Sequence, residues 1–168
     1  LSISIRLEQP TDIKSIHEVT VAAFLNAPHT DHTEQFIVKA LRESAALSMS
    51  LVAVENGNIV GHVALSSITI SDGTPNWYGL GPISVLPKQQ GKGIGLQLMN
   101  AAIQELKNTK ANGCVLLGDP NYYRRFGFTA KQGLVLADVP PEYFQTLVFN
   151  GELPQGNVTY HESFSAKR

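Results

Sequence analysis

With 168 residues, 43% hydrophobic and 16% charged, the chain has the make-up of a globular protein with a sizeable core. A formal net charge of −1 argues against nucleic acid as a bulk partner, and no apolar run is long enough to cross a membrane. The single cysteine, Cys114, cannot form an internal disulfide, which fits a reducing, cytoplasmic setting; in the run Cys114-Val115-Leu116-Leu117 it reads as a buried small residue. No signal-peptide pattern opens the sequence, and a start at Leu1 leaves room for residues upstream. With no repeat, low-complexity tract or linker, residues 1–168 are expected to form one domain.

Ser2 to Leu7 alternates as a short strand, with Ile3, Ile5 and Leu7 on one face. Thr11 is a candidate cap for a helix from Asp12, whose apolar side carries Ile13, Ile16, Val19 and Phe24. A second helix starts at Asp31 or Thr33 and carries Phe36, Ile37, Ala40 and Leu41. Leu51 to Val54 is a strand, Asn56-Gly57 a hairpin turn, and Ile59 to Ile70 a long returning strand. Trp77 to Val85 is the fourth strand. Gly93 to Thr109 is the main helix, with Ile94, Leu98, Ala102, Ile103 and Leu106 toward the core. Cys114 to Leu117 is the next strand. Asp119-Pro120 reads as the cap and first residue of a short helix that Gly127 ends. A strand is expected within Phe128 to Leu136, a short helix from Pro140-Pro141 through Phe149, and a last strand over Val158 to His161.

Leu80 to Leu98 carries the chemistry. A strand, a glycine-rich turn and a helix N-terminus together make an anion site, because the first helical amides lack intrahelical partners and the dipole is positive there. The glycines do not fit the dinucleotide fingerprint: counted from Gly91 or Gly93, its third glycine falls on Leu96 or Leu98. The triphosphate loop G-x-x-x-x-G-K-[ST] is absent too. What stands here is Q-x-x-G-x-G: Gln90, Gly91, Lys92, Gly93, Ile94 and Gly95. Taken alone it is a candidate pyrophosphate cradle, with Lys92 as an added charge, or a ligand-free glycine turn.

The segment resembles the coenzyme A loop of the GNAT N-acetyltransferase superfamily, which reads [QR]-x-x-G-x-[GA] after an apolar strand. A tyrosine four residues before a Gly-Phe pair strengthens the likeness: Tyr123 precedes Gly127-Phe128. The segment Gly118-Asp119-Pro120-Asn121-Tyr122-Tyr123 is similar to one bacterial branch. The resemblance implies an α/β (α+β) fold. Its mixed, mostly antiparallel central sheet is splayed between the fourth and fifth strands and flanked by helices. It implies acetyl-CoA as co-substrate, a small-molecule or peptide amine as acceptor, no metal, no nucleic acid, no membrane, and room for a homodimer. Pro82 fits a bulged strand, since it has no amide to leave unpaired. The splay would let Ile83, Ser84 and Val85 present backbone groups to the pantetheine arm.

Acyl transfer to an amine needs a base for the ammonium, whose pKa is about 10.4 in lysine, and an acid for the departing thiolate. The family likeness selects Tyr123 as the acid; a packed aromatic among Tyr122, Phe126 and Phe128 is the other reading. His62, on the third strand with Ala64 and Ser66, is a candidate base, although a lone strand histidine is more often structural. Ser84 reads first as an ordinary strand residue. His29, Asp31 and His32 lack the further ligands that zinc needs. Arg124-Arg125 meets phosphates or water, and Trp77 and Tyr78 line the cleft or the core. An acyl-CoA-binding module without catalysis is the alternative function.

Overall fold

A computed structural model describes residues 2–168. In chain order its elements are β1 (Ser4–Leu7), α1 (Ile13–Phe24), α2 (Glu34–Glu43), β2 (Leu47–Glu55), β3 (Asn58–Ser67), β4 (Thr69–Ile70), β5 (Trp77–Val85), α3 (Ile94–Asn108), β6 (Gly113–Leu117), α4 (Pro120–Tyr123), β7 (Leu134–Val135), β8 (Phe144–Val148) and β9 (Gly156–Thr159). Six strands form the main sheet in the order β1-β2-β3-β5-β6-β8, and β4-β9-β7 form a small second one. All neighbours in the main sheet are antiparallel except β5 and β6. The mixed, mostly antiparallel sheet flanked by helices is the expected one.

Alternation along the strands sends two sets of side chains to opposite faces. Leu51, Ala53, Val63 and Leu65 pack against Ile94, Leu98, Met99, Ala102 and Leu106 of α3. Val52 on the other face meets Ile16 of α1 and Val38 of α2. Each fully buried leucine or isoleucine in these layers contributes roughly 1.5–3 kcal/mol. A third cluster, with Trp77, Val115, Phe144 and Val158, joins the small sheet to the large one.

The join between β5 and β6 positions the site. They pair only at Trp77–Gly113, Tyr78–Cys114 and Gly79–Val115. Beyond Gly79, β5 departs from β6 and its edge is free. Opposite β3 the register slips by one residue between Val63–Ile83 and Leu65–Leu80, so Gly81 and Pro82 face Ala64 alone and bulge the strand. Proline is tolerated there, having no amide to leave unpaired.

Four expectations are corrected. Residues 144–148 are a strand rather than a helix: after a single turn at Pro141–Tyr143, Phe144 to Val148 pair with β6 along its whole length. Ile59 to Ile70 is two strands, because Ile68 leaves the ladder and turns β4 into the second sheet. The strand expected within 128–136 shrinks to Leu134–Val135, plus one bridge from Thr129 to Thr146. The first helix is entered through Asp12 rather than capped by Thr11. The Asp12 carboxylate accepts from the Gln9 amide at 2.7 Å and from both arms of Arg6 at 2.7 and 3.1 Å.

Candidate active site

The N-terminus of α3 stands beside the free edge of β5. Gly91 (φ 80°) and Gly93 (φ 83°) take left-handed backbone that glycine adopts without strain. The loop thereby delivers Ile94, Gly95 and Leu96 as the first turn of α3, whose amides have no carbonyl four residues back to bond. Gln90 donates from Nε2 to the carbonyl of Val85 at 3.1 Å, tying the loop to the end of β5. Lys92 is exposed and donates to Gln89 Oε1 at 3.2 Å.

A groove of about 540 Å³ opens against this turn. Ile83 and Val85 form its strand wall; Gln89, Gln90, Gly91, Gly93, Ile94, Gly95 and Leu96 form the loop and helix wall; Tyr122, Tyr123 and Arg125 close it. Recesses of similar size occur elsewhere, one of them along residues 130–144. This groove combines the N-terminus of α3 with the strand edge freed inside the sheet, the two features that hold a phosphate and an extended amide-bearing chain.

Asp119 caps the short helix that supplies the tyrosines, accepting from the Asn121 amide at 2.9 Å, with Pro120 at its first position. Gly127 ends the following turn in left-handed backbone. Tyr123 packs edge-on to Tyr122 at 4.9 Å and to Phe128 at 6.5 Å. Its ring also lies against Gly118, where any Cβ would overlap it. Burial raises the Tyr123 phenol above its ordinary pKa, with Tyr122 and Asp119 adding to the effect, so the hydroxyl stays protonated at neutral pH. The Arg125 guanidinium sits over the Tyr122 ring at 4.3 Å and donates from Nε to the Tyr122 carbonyl at 2.9 Å. It is thus held at the groove as a fixed positive charge.

His62 stands on the other face of the sheet. Its neighbour Gly61 faces Leu98 and Ile94 of α3, so His62 points toward α1, where it is fully buried. Its Nε2 lies 2.7 Å from Ser50 Oγ. Ser84, the register partner of His62, also points to α1 and donates to Thr20 Oγ1 at 3.5 Å. Any contact from Ser84 to a molecule in the groove is therefore through its backbone. Trp77 is core; Tyr78 is half-buried. His29 and His32 lie in the α1–α2 loop, and among the described residues no three His, Cys, Asp or Glu side chains could share a metal ion. Nor, among those residues, is any helix long and apolar enough to cross a membrane.

The groove includes three residues that sequence reasoning had not assigned to it: Gln89, Leu96 and Tyr122. For Arg125, which the sequence sets against phosphates or water alike, the signal is a tyrosine three residues earlier, one helical turn away.

A strand that leaves its parallel neighbour beside a glycine-started helix is what the resemblance required, and comparison with known proteins settles the family. A family model described as Acetyltransferase (GNAT) family matches residues 13–128. The chain belongs to the GNAT acetyltransferase family. It is 34% identical over 125 residues to the uncharacterized N-acetyltransferase YhbS of Escherichia coli K12, covering 74% of this chain and 72% of that one. The crystal structure of a GNAT family acetyltransferase from Brucella melitensis in complex with acetyl-CoA superposes with a TM-score of 0.87 at 46% identity, covering 97% of this chain and 98% of the other. E. coli YhbS in complex with CoA gives 0.89 at 30% identity, over 98% and 93% of the two chains. The enzyme class implied by the sequence, an N-acetyltransferase, stands on this kinship.

Proposed function

We propose that this GNAT enzyme moves an acetyl group from acetyl-CoA to a primary amine, on a small molecule or a peptide, by direct attack on the thioester. The supporting observation is the groove where β5 has left β6, walled by the α3 N-terminus and by Tyr123. The relatives solved with acetyl-CoA and CoA agree with it. The first-turn amides of α3, with Arg125 beside them, suit the pyrophosphate; the free edge of β5 at Ile83 to Val85 suits the amides of the pantetheine arm.

In this reading the amine nitrogen attacks the carbonyl carbon, the C–S bond breaks, and Tyr123 gives its phenolic proton to the departing sulfur. A backbone amide of the bulged strand answers the charge on the carbonyl oxygen. His62 is the base, working from the α1 face. Acid and base then act from opposite faces of the sheet, as suits a carbonyl attacked from one side that loses its sulfur on the other.

The test is a panel of primary amines incubated with acetyl-CoA, reading free thiol and confirming the acetylated amine by mass. Stoichiometric thiol and N-acetyl product with at least one amine is expected. Tight CoA binding with no amine acetylated would instead leave a binding module.

A further inference from the structure

Beneath α1, on the sheet face away from the groove, separate segments place polar side chains in one row. Arg42 of α2 grips Glu8 in a two-pronged pair, Nη2 to Oε1 at 2.7 Å and Nε to Oε2 at 3.0 Å. Ser50 of β2 donates to the same Glu8 Oε1 at 2.7 Å, and on its other side meets His62 Nε2. Ser84 of β5 stands next to His62 and reaches Thr20 of α1. Ser50, His62, Ser84 and Thr20 are all buried, with His62 and Thr20 at 0% exposure. The row ends at the half-buried Glu8–Arg42 pair on one side and, on the other, at β5, the strand that borders the splay.

The protons in this row follow by elimination. Burial works against a charge on Glu8, but the hydrogen bonds from Arg42 and Ser50 outweigh it and hold the carboxyl below its ordinary range. A carboxylate only accepts, so the single Ser50 proton points to Glu8. Ser50 Oγ is then the acceptor toward His62, and Nε2 carries the imidazole hydrogen. That leaves Nδ1 with a bare lone pair, and this atom is buried without a hydrogen-bond partner. Such an orphan is destabilising unless something completes it. Of the groups around it, Glu8 and Arg42 are the charged ones; α1 contributes Ile16, Val19 and Thr20 to its buried side, and β5 contributes Ser84.

We propose that Glu8 and Ser50 are positioning residues that hold His62 as the Nε2–H tautomer, so that its bare Nδ1 takes the acceptor's proton by way of one water. In the step, an N–H bond of the ammonium breaks and its electron pair stays on nitrogen as the nucleophile. The proton bonds to the water oxygen while one of the water's own protons forms the Nδ1–H bond. The imidazolium donates from Nε2 to Ser50, the Glu8 carboxylate beyond partly offsets the cost of its burial, and it returns the proton to water. The inference rests on the acetyltransferase reading with His62 as base.

Two measurements test it separately. Nitrogen NMR of the histidine rings at neutral pH, with His62 assigned by its loss in His62→Gln, should show Nε2 protonated and Nδ1 bare. Ser50→Ala should abolish the single tautomer, and Ser50→Thr should restore it. A protonated Nδ1 in the unaltered protein overturns the proposal. The second measurement is kcat with acetyl-CoA and the fastest of cadaverine, tyramine and a lysyl tripeptide. Glu8→Gln and Ser50→Ala should lose about tenfold or more, with CoA affinity unchanged, the usual scale of an impaired proton transfer. The loss should shrink as pH rises toward the pKa of the amine, because a neutral amine needs no base. A loss independent of pH, or none, overturns the proposal. Unaltered protein that acetylates none of the three amines overturns the acetyltransferase reading itself, whatever the tautomer.

Discussion

Tyr123 and Gly118 are one device at the scale of single residues. The tyrosine ring rests on the glycine, and a Cβ at Gly118 would overlap it. Gly118→Ala should therefore displace the ring by a methyl's width while leaving the groove floor in place. Positioning errors near 1 Å cost about 10²-fold, so kcat should fall by that order with CoA affinity retained. In a Tyr123→Phe background the same alanine should cost little more, since the hydroxyl it misplaces is already gone. Equal losses in both backgrounds would mean Gly118 acts elsewhere. His62 makes a second prediction, about stability. Burial pulls its pKa down to about 4, partly opposed by Glu8, against an unfolded value of about 6.5. Between those values the unfolded chain binds the extra proton, so stability is full above about 6.5 and declines as pH falls toward 4, by up to about 3 kcal/mol. Denaturant midpoints measured from pH 7.5 to 4.5 should fall in the native protein and fall less in His62→Gln. Glu8, whose carboxyl is held low, adds its own loss only as pH falls through its folded value.

Among the elements, the loop before α3, the proposed donor site, was legible by spacing as an anion cradle or a bare glycine turn, and the family likeness chose between the two. Glycines at fixed offsets before an amphipathic helix leave few structures open, and Gly91 and Gly93 do take left-handed backbone. Their left-handed backbone makes them poor probes, because a side chain there strains the loop whatever the ligand. Gly95 is the better one: it is helical, and a Cβ meets only the Tyr122 hydroxyl at 3.7 Å and Val85 at 3.9 Å. Gly95→Leu should keep the fold and fill the groove, weakening CoA binding at least tenfold by calorimetry; unchanged affinity would place the site elsewhere. β8 was not legible. Pro140-Pro141 suggested a helix start, but Phe144 to Val148 is made a strand by a free edge of β6 that no local pattern announces. The Glu8–Ser50–His62–Ser84 row was invisible for the same reason, since its members come from four strands or strand ends and share no spacing. His62 alone could be picked out, as a titratable residue on a strand; its face and its partner could not.

For the whole molecule, the splay divides the labour of the sheet. The α3 face carries the groove, the helix N-terminus, Arg125 and Tyr123; the α1 face carries the buried polar row. Between them, β5 leaves β6 after Gly79. The central claim is that a thioester placed in this gap gives its sulfur to the Tyr123 side. Phenylalanine at 123 preserves the ring stacked on Tyr122 and Phe128 and removes only the proton. The decisive measurement is kcat for Tyr123→Phe and the unaltered enzyme with one acceptor, beside their CoA affinities. The account predicts equal affinities and a kcat lower by about 10²–10⁴, partly recovered with a thioester whose leaving group is more acidic. Near-native turnover in Tyr123→Phe would contradict it.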